Sequence, residues 1–176
     1  MRILHLVNFY HSKSGGIRTY LNNKRSYFRS IGLPFRMVMP GEIDAVKNSA
    51  NGDIVYQVSS PVAPLNPVYR MIWDLPTVHS IIRSEKPDLI EVNDKYTLAV
   101  LSLLYRKVIG FRTPIVGFHH ERLDENIRIY FEKSTFFKLT YRWMMELICA
   151  SYDRIICASR HTAEEIEPFV EHGFSL

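Results

Sequence analysis

The chain has little that would tie it to an oxidising compartment, a membrane span or a nucleic acid. It holds only two cysteines, Cys149 and Cys157, each inside an apolar pattern. Two such thiols fit a reduced, buried pair in the cytoplasm and exclude a disulfide framework. No apolar run approaches the length of a spanning helix, and a strand pattern begins at Ile3, so we expect no leader. The expected location is the cytoplasm, with peripheral contact at the inner face of a membrane left open. Neither the GKS/T ending of a P-loop nor the GxGxxG of a dinucleotide fold occurs, and no metal-ligand spacing, internal repeat or low-complexity tract is found. No Ser-His-Asp ordering can be defended either. Charge of one sign is scarce: 22 Lys and Arg against 18 Asp and Glu leave a net charge of +4 and a pI near 9.1. That balance suits an anionic ligand or membrane surface and gives no case for nucleic acid.

What is present is a globular composition. At 47% hydrophobic and 12% aromatic over 176 residues, one compact domain spanning residues 1–176 is expected. The apolar run Ile3 to Val7 gives way to a turn containing Ser14, Gly15 and Gly16, and then to helical spacing at Ile17, Tyr20, Leu21, Phe28 and Ile31, closed by Gly32. Adjacent glycines permit positive φ angles and leave no Cβ between backbone and ligand. The helix start behind them points unpaired N–H groups outward, which suits a phosphate. Lys24, Arg25 and Arg29 read as a solvated helix face, whereas Arg18 sits in the first turn beside the glycines.

Further strands are expected at Phe35–Met39, Ile54–Val58, Asp88–Asp94, Pro114–His120 and Tyr152–Ala158, with 42–53 a polar loop and Ser59–Pro67 an extended connector. Helical patterns cover 68–84, with Pro76 as a kink or a second start, then 96–108 and 135–150. A charged irregular stretch lies between Glu121 and Lys133. Ser159 or Thr162 can cap the last helix, where Thr162 to Glu165 fits a capping box. Strands apolar nearly end to end, alternating with helices, imply a doubly wound, mostly parallel α/β sheet with helices on both faces.

Ligands collect beyond the carboxyl ends of such strands. That rule selects the Ser14-Gly15-Gly16 turn, Glu91, Asn93 and Asp94, His119 and His120, and Ser159 with Arg160. Asn93 and Asp94 either join the site or cap the next helix. Strand alternation turns one of His119 and His120 away from the cleft. A histidine at a strand end can bind a ligand hydroxyl or orient an acid-base step.

In their order, Ser14-Gly15-Gly16-Ile17-Arg18, Lys86 to Asp94, Pro114-Ile115-Val116 with His120, and Tyr152 to Ser159 resemble the N-terminal domain of GT-B retaining glycosyltransferases of family 4. The likeness covers nearly the whole chain. It implies a Rossmann-like half of a two-domain enzyme that moves a sugar from a nucleotide-sugar to a sugar or lipid-linked acceptor, without a metal or other cofactor. It places the donor phosphates at Gly15 and Gly16 and the catalytic histidine at His120, with His119 as the fallback. Arg18, Asn93, Asp94, His119, Ser159 and Arg160 are the remaining donor- or acceptor-binding candidates. Where the family's strand often ends in His, this chain has Asn93. The family's nucleotide-binding C-terminal half has no counterpart here, so we expect a fragment or one subunit of a split enzyme, inactive alone. The alternative is a non-catalytic Rossmann-like binding or assembly module. The stretch from Phe136 to Met145 mixes aromatic and basic residues, as a membrane-surface helix or as a helix half core and half solvated.

Overall fold

The computed structural model describes residues 1–10, 15–63, 66–121 and 135–170. Ser14, the charged stretch 122–134 and the end of the chain, 171–176, lie outside the described residues. Seven strands form one sheet in the order β3-β4-β2-β1-β7-β8-β9. They are β1 (Ile3–Val7), β2 (Arg36–Gly41), β3 (Ala45–Asn48), β4 (Ile54–Ser59), β7 (Leu89–Asn93), β8 (Ile115–His119) and β9 (Arg154–Cys157). All pairings are parallel except β3 with β4. The helices are α1 (Gly16–Ser30), α2 (Leu75–Glu85), α3 (Thr97–Leu104), α4 (Thr135–Cys149) and α5 (Arg160–Ile166). This is the expected mostly parallel, Rossmann-like α/β architecture.

Alternation along β1 explains why every one of its residues is buried. Ile3 and Val7 pack with Ile17, Leu21 and Phe28 of α1, while Leu4 and Leu6 pack with Val78 and Ile82 of α2 and Leu98 and Leu101 of α3. With helices on both faces, a strand needs apolar side chains at successive positions. Gly117 in β8 has a steric reason: a Cβ there would lie 2.7 Å from the ring of Tyr152.

Three stretches depart from expectation, and at Pro76 the second start is the alternative realised. The polar loop 42–53 contains β3, an antiparallel edge strand whose side chains are mostly exposed, so no alternation marks it. The extended connector forms a small hairpin, β5 (Val62–Ala63) with β6 (Asn66–Arg70), so that residues 68–70 are strand rather than helix. Helix α2 begins afresh at Leu75: Asp74 caps it through Thr77 N at 3.0 Å, and Pro76 sits in the first turn, where no N–H is needed. Helix α3 continues as a π turn, Tyr105–Ile109, before Gly110 at φ +64° ends it.

The parallel register fixes what sits on the carboxyl rim. Val7 is level with Asn93, Val92 with Gly117, and His119 with Cys157. Helix α1 follows β1 and packs Ile17 in the same cluster as Val7, so its amino end lies on that rim too.

Candidate active site

Among the described residues, helix α1 opens without a side-chain cap and without an acidic residue in its first turn. Its leading N–H groups are therefore available to an anion. The glycines serve differently from expectation. Neither Gly15 nor Gly16 adopts a positive φ, and a Cβ built on either meets nothing within 4 Å. Local backbone strain does not require them; what they provide is open space in front of the helix. Arg18 is half-buried in that first turn.

Side-chain alternation separates the two histidines. Phe118 stacks on Tyr20 of α1 with ring centroids 4.0 Å apart and 5° between planes, and His120 lies parallel to Phe118 at 6.1 Å. His120 therefore belongs to the α1 face. His119 points to the other face, edge-on to Tyr152 at 6.1 Å, and is almost fully buried with neither ring nitrogen hydrogen-bonded. Burial and then the Lys95 ammonium push both imidazoles down, His119 to about 3 and His120 to about 4. At neutral pH His120 is an uncharged hydrogen-bonding ring, with Nδ1 unpartnered.

Asn93 shares the α1 face, because it lies two residues beyond Glu91, whose carboxylate meets Tyr20 and Lys24 of α1. Glu91 itself lies beneath the helix: it pairs with Lys24, accepts the Tyr20 hydroxyl at 3.2 Å, and contacts His5 Nδ1 at 3.2 Å. Burial alone would raise its carboxyl, but His5 and Lys24 hold it down to about 2. Lys24, expected on a solvated face, is thus committed inward, as are Arg25 and Arg29, which both reach buried Asp53.

Asp94 is a helix cap. Its carboxylate accepts from Leu98 N at 3.1 Å, from Tyr96 N and from Asn8 Nδ2 at 2.5 Å. Burial pushes it up to about 6. Asn8 also binds Thr97 Oγ1 and Ile72 N, locking the exit of β1 to the β7–α3 turn; its sequence neighbours gave no sign of this role. Ser159 caps α5, and its partner is Thr162, one turn earlier than the box read from Thr162 to Glu165. Arg160 is exposed and 3.7 Å from Glu164. The arrangement brings Gly15, Gly16, Arg18, Asn93 and His120 to one rim and one face. It turns His119 away and gives Asp94 and Ser159 capping partners.

The buried rings carry a pH dependence. A histidine whose folded pKa lies below its unfolded 6.5 contributes stability that is complete above 6.5 and is lost as pH falls towards the folded value. His119 and His120 act in this sense. Asp94 acts in the opposite sense, its contribution being lost as pH rises through about 6. His5, which burial also pushes down, adds to these two rings, and with Asp94 alone opposing them urea unfolding is expected to show at least about 2 kcal/mol less stability at pH 5 than at pH 7. His119→Phe should flatten that slope, and an unchanged slope would count against the burial of these rings.

With the geometry in place, comparison with known proteins gives two findings. The model of the family described as Glycosyltransferase Family 4 matches residues 14–171. Two curated relatives are each 25% identical over 167 residues, covering 95% of this chain and 42% of the relative. Both are named GDP-mannose-dependent alpha-(1-6)-phosphatidylinositol dimannoside mannosyltransferase, from Mycobacterium tuberculosis strains ATCC 25177 / H37Ra and CDC 1551 / Oshkosh. The chain therefore spans less than half the length of the curated relatives it matches.

Proposed function

Because the chain belongs to glycosyltransferase family 4, we propose that it forms the N-terminal, acceptor-side half of a retaining glycosyltransferase. In this reading a hexose passes from a nucleotide-sugar to a hydroxylated acceptor, and a second half, in the same polypeptide or in a partner subunit, grips the nucleotide. The nucleotide-sugar is a substrate, and no further cofactor is called on. The observation that carries the reading is the meeting of an uncapped helix start, Asn93 and His120 on one rim and one face of the sheet.

Each group has a part. The N–H groups at Gly15 and Gly16 receive the donor phosphates, with Arg18 as an adjacent cation. Asn93 and the neutral His120 hydrogen-bond ring hydroxyls and hold the sugar. The relatives' names make GDP-mannose and mannosylated phosphatidylinositol the first donor and acceptor to try. The test combines the chain with a nucleotide-binding C-terminal half of the family and follows transfer from labelled GDP-mannose. Gly16→Trp is expected to abolish transfer while leaving thermal unfolding unchanged, since the added side chain projects into open space. Transfer that survived it would move the phosphates elsewhere.

A lipid-linked acceptor brings the outer face of α4 into the reading. Phe136, Leu139 and Trp143 recur at helical spacing and are 79%, 64% and 63% exposed, beside exposed Lys138 and Arg142. The core side of that helix is Met145, Ile148 and Cys149, so the aromatic stripe is not core. No helix among the described residues is long and apolar enough to cross a membrane. The stripe suits peripheral contact with anionic lipid. Sedimentation with vesicles containing phosphatidylinositol is expected, with binding reduced about tenfold by Trp143→Glu. Equal sedimentation with purely zwitterionic vesicles would remove the lipid part.

A further inference from the structure

Asn93 has no exposed surface, and its side-chain Oδ1 has no hydrogen-bond partner. Charge fixes which way its amide faces. The group next to it is Glu91 Oε1, 3.3 Å from Asn93 Nδ2. That carboxylate is ionised and can only accept, so the amide must present its NH2 there. Lys24, Tyr20 and His5 in turn hold Glu91 from three sides. With its donor committed, Asn93 offers the rim a carbonyl oxygen, which must receive a hydrogen bond. A fully ionised phosphate oxygen has no proton to give it; a hydroxyl has.

We propose that Asn93 is a specificity-determining residue that accepts a hydrogen bond from a ring hydroxyl of the ligand, aimed by the Lys24–Glu91 pair. The inference rests on the transferase reading and deepens it. The ligand group that Asn93 receives belongs to a polyhydroxylated ring and not to a phosphate, and Glu91 and Lys24 are positioning residues. Two sources supply such a hydroxyl: the sugar of the donor and a sugar or cyclitol of the acceptor.

The test is an NMR titration of this chain with two sets of probes. One is GDP-mannose and its four singly deoxygenated mannose analogues; the other is myo-inositol 1-phosphate and its singly deoxygenated analogues. In the wild type one analogue in one set is expected to bind about 5- to 100-fold more weakly than its parent, because its loss leaves a buried acceptor unpaired. The set in which that happens identifies the source. Asn93→Ala should erase the difference, and Asn93→Ser, which keeps an oxygen, should retain part of it. Glu91→Gln lets the Asn93 amide turn over and should erase it with Asn93 still in place, an effect that simple loss of packing would not give. Thermal melts of each variant establish that it is folded. If the wild type binds a parent probe but no analogue is penalised, or if Asn93→Ala weakens parent and analogues alike, the inference falls and the transferase reading stands. If the wild type, joined to a nucleotide-binding C-terminal half of the family, binds neither parent, both fall.

Discussion

Asp53→Ala is expected to cost about 3 kcal/mol of stability and to lower the melting temperature by about 6–12 °C. Asp53 is 1% exposed and accepts four hydrogen bonds: Phe35 N at 3.0 Å, Arg25 Nε at 2.8 Å, and Arg29 Nε and Nη2 at 3.1 and 2.8 Å. Burial by itself would raise its carboxyl, but the Phe35 N–H and the two guanidinium groups bring it below the ordinary aspartate value. Truncation leaves the Phe35 N–H unpaired inside the protein and strips two cations of their partner. Arg25 and Arg29 are themselves 33% and 41% exposed and can turn to water, which keeps the cost at the lower end for a broken buried pair. Asp53→Asn retains an acceptor for Phe35 and should lose less than half as much. An alanine variant that unfolds within 0.5 kcal/mol of the wild type would show that this cluster does not pin α1 to the sheet.

His120→Ala is expected to reduce kcat/KM for sugar transfer about 100-fold in the complete enzyme, with the melting temperature little changed. A hydrogen bond to a ligand hydroxyl in a water-poor site is worth roughly 1–3 kcal/mol, which corresponds to about 5- to 150-fold. The ring is half-buried at the rim and stacked on Phe118, so its loss removes a ligand contact and little core. Because burial and Lys95 push its pKa down to about 4, the neutral form works across the physiological range. The pH–rate profile should therefore carry no acid limb near 6.5 from this residue. A limb there that disappears in His120→Gln would show that the charged form takes part. His119→Ala makes the control: it lies on the other face and should change stability more than transfer.

Much of the architecture could be read in advance where the local pattern is the physical cause. Ile3–Val7 and Ile115–His119 are buried on both sides and look so in the sequence, and Gly32 and Gly110 end helices where left-handed backbone is needed. The glycine turn, Asn93 and His120 were placed by a rule about strand ends, which depends on topology and not on side-chain detail. Strand β3 escaped because an exposed edge strand has no alternation to display, and β6 because Val68 onward also fits helical spacing. The partners that organise the site were out of reach for a different reason. Lys24 and Glu91, Arg25 and Asp53, and Asn8 and Asp94 are brought together by folding across long stretches of chain, and each alone looks like an ordinary polar residue.

The position of β1 has a consequence for how the protein is made. On one side β1 pairs with β2, which follows soon after it, but on the other it waits for β7, with His5 meeting a partner 86 residues further on. Until the ribosome has delivered that segment, an apolar strand in the middle of the future sheet has an unsatisfied margin, open to the wrong neighbour. Such remote parallel pairing is intrinsically slow. Synthesis that pauses between β6 and β7 should be the interval in which chaperones matter most to the nascent chain.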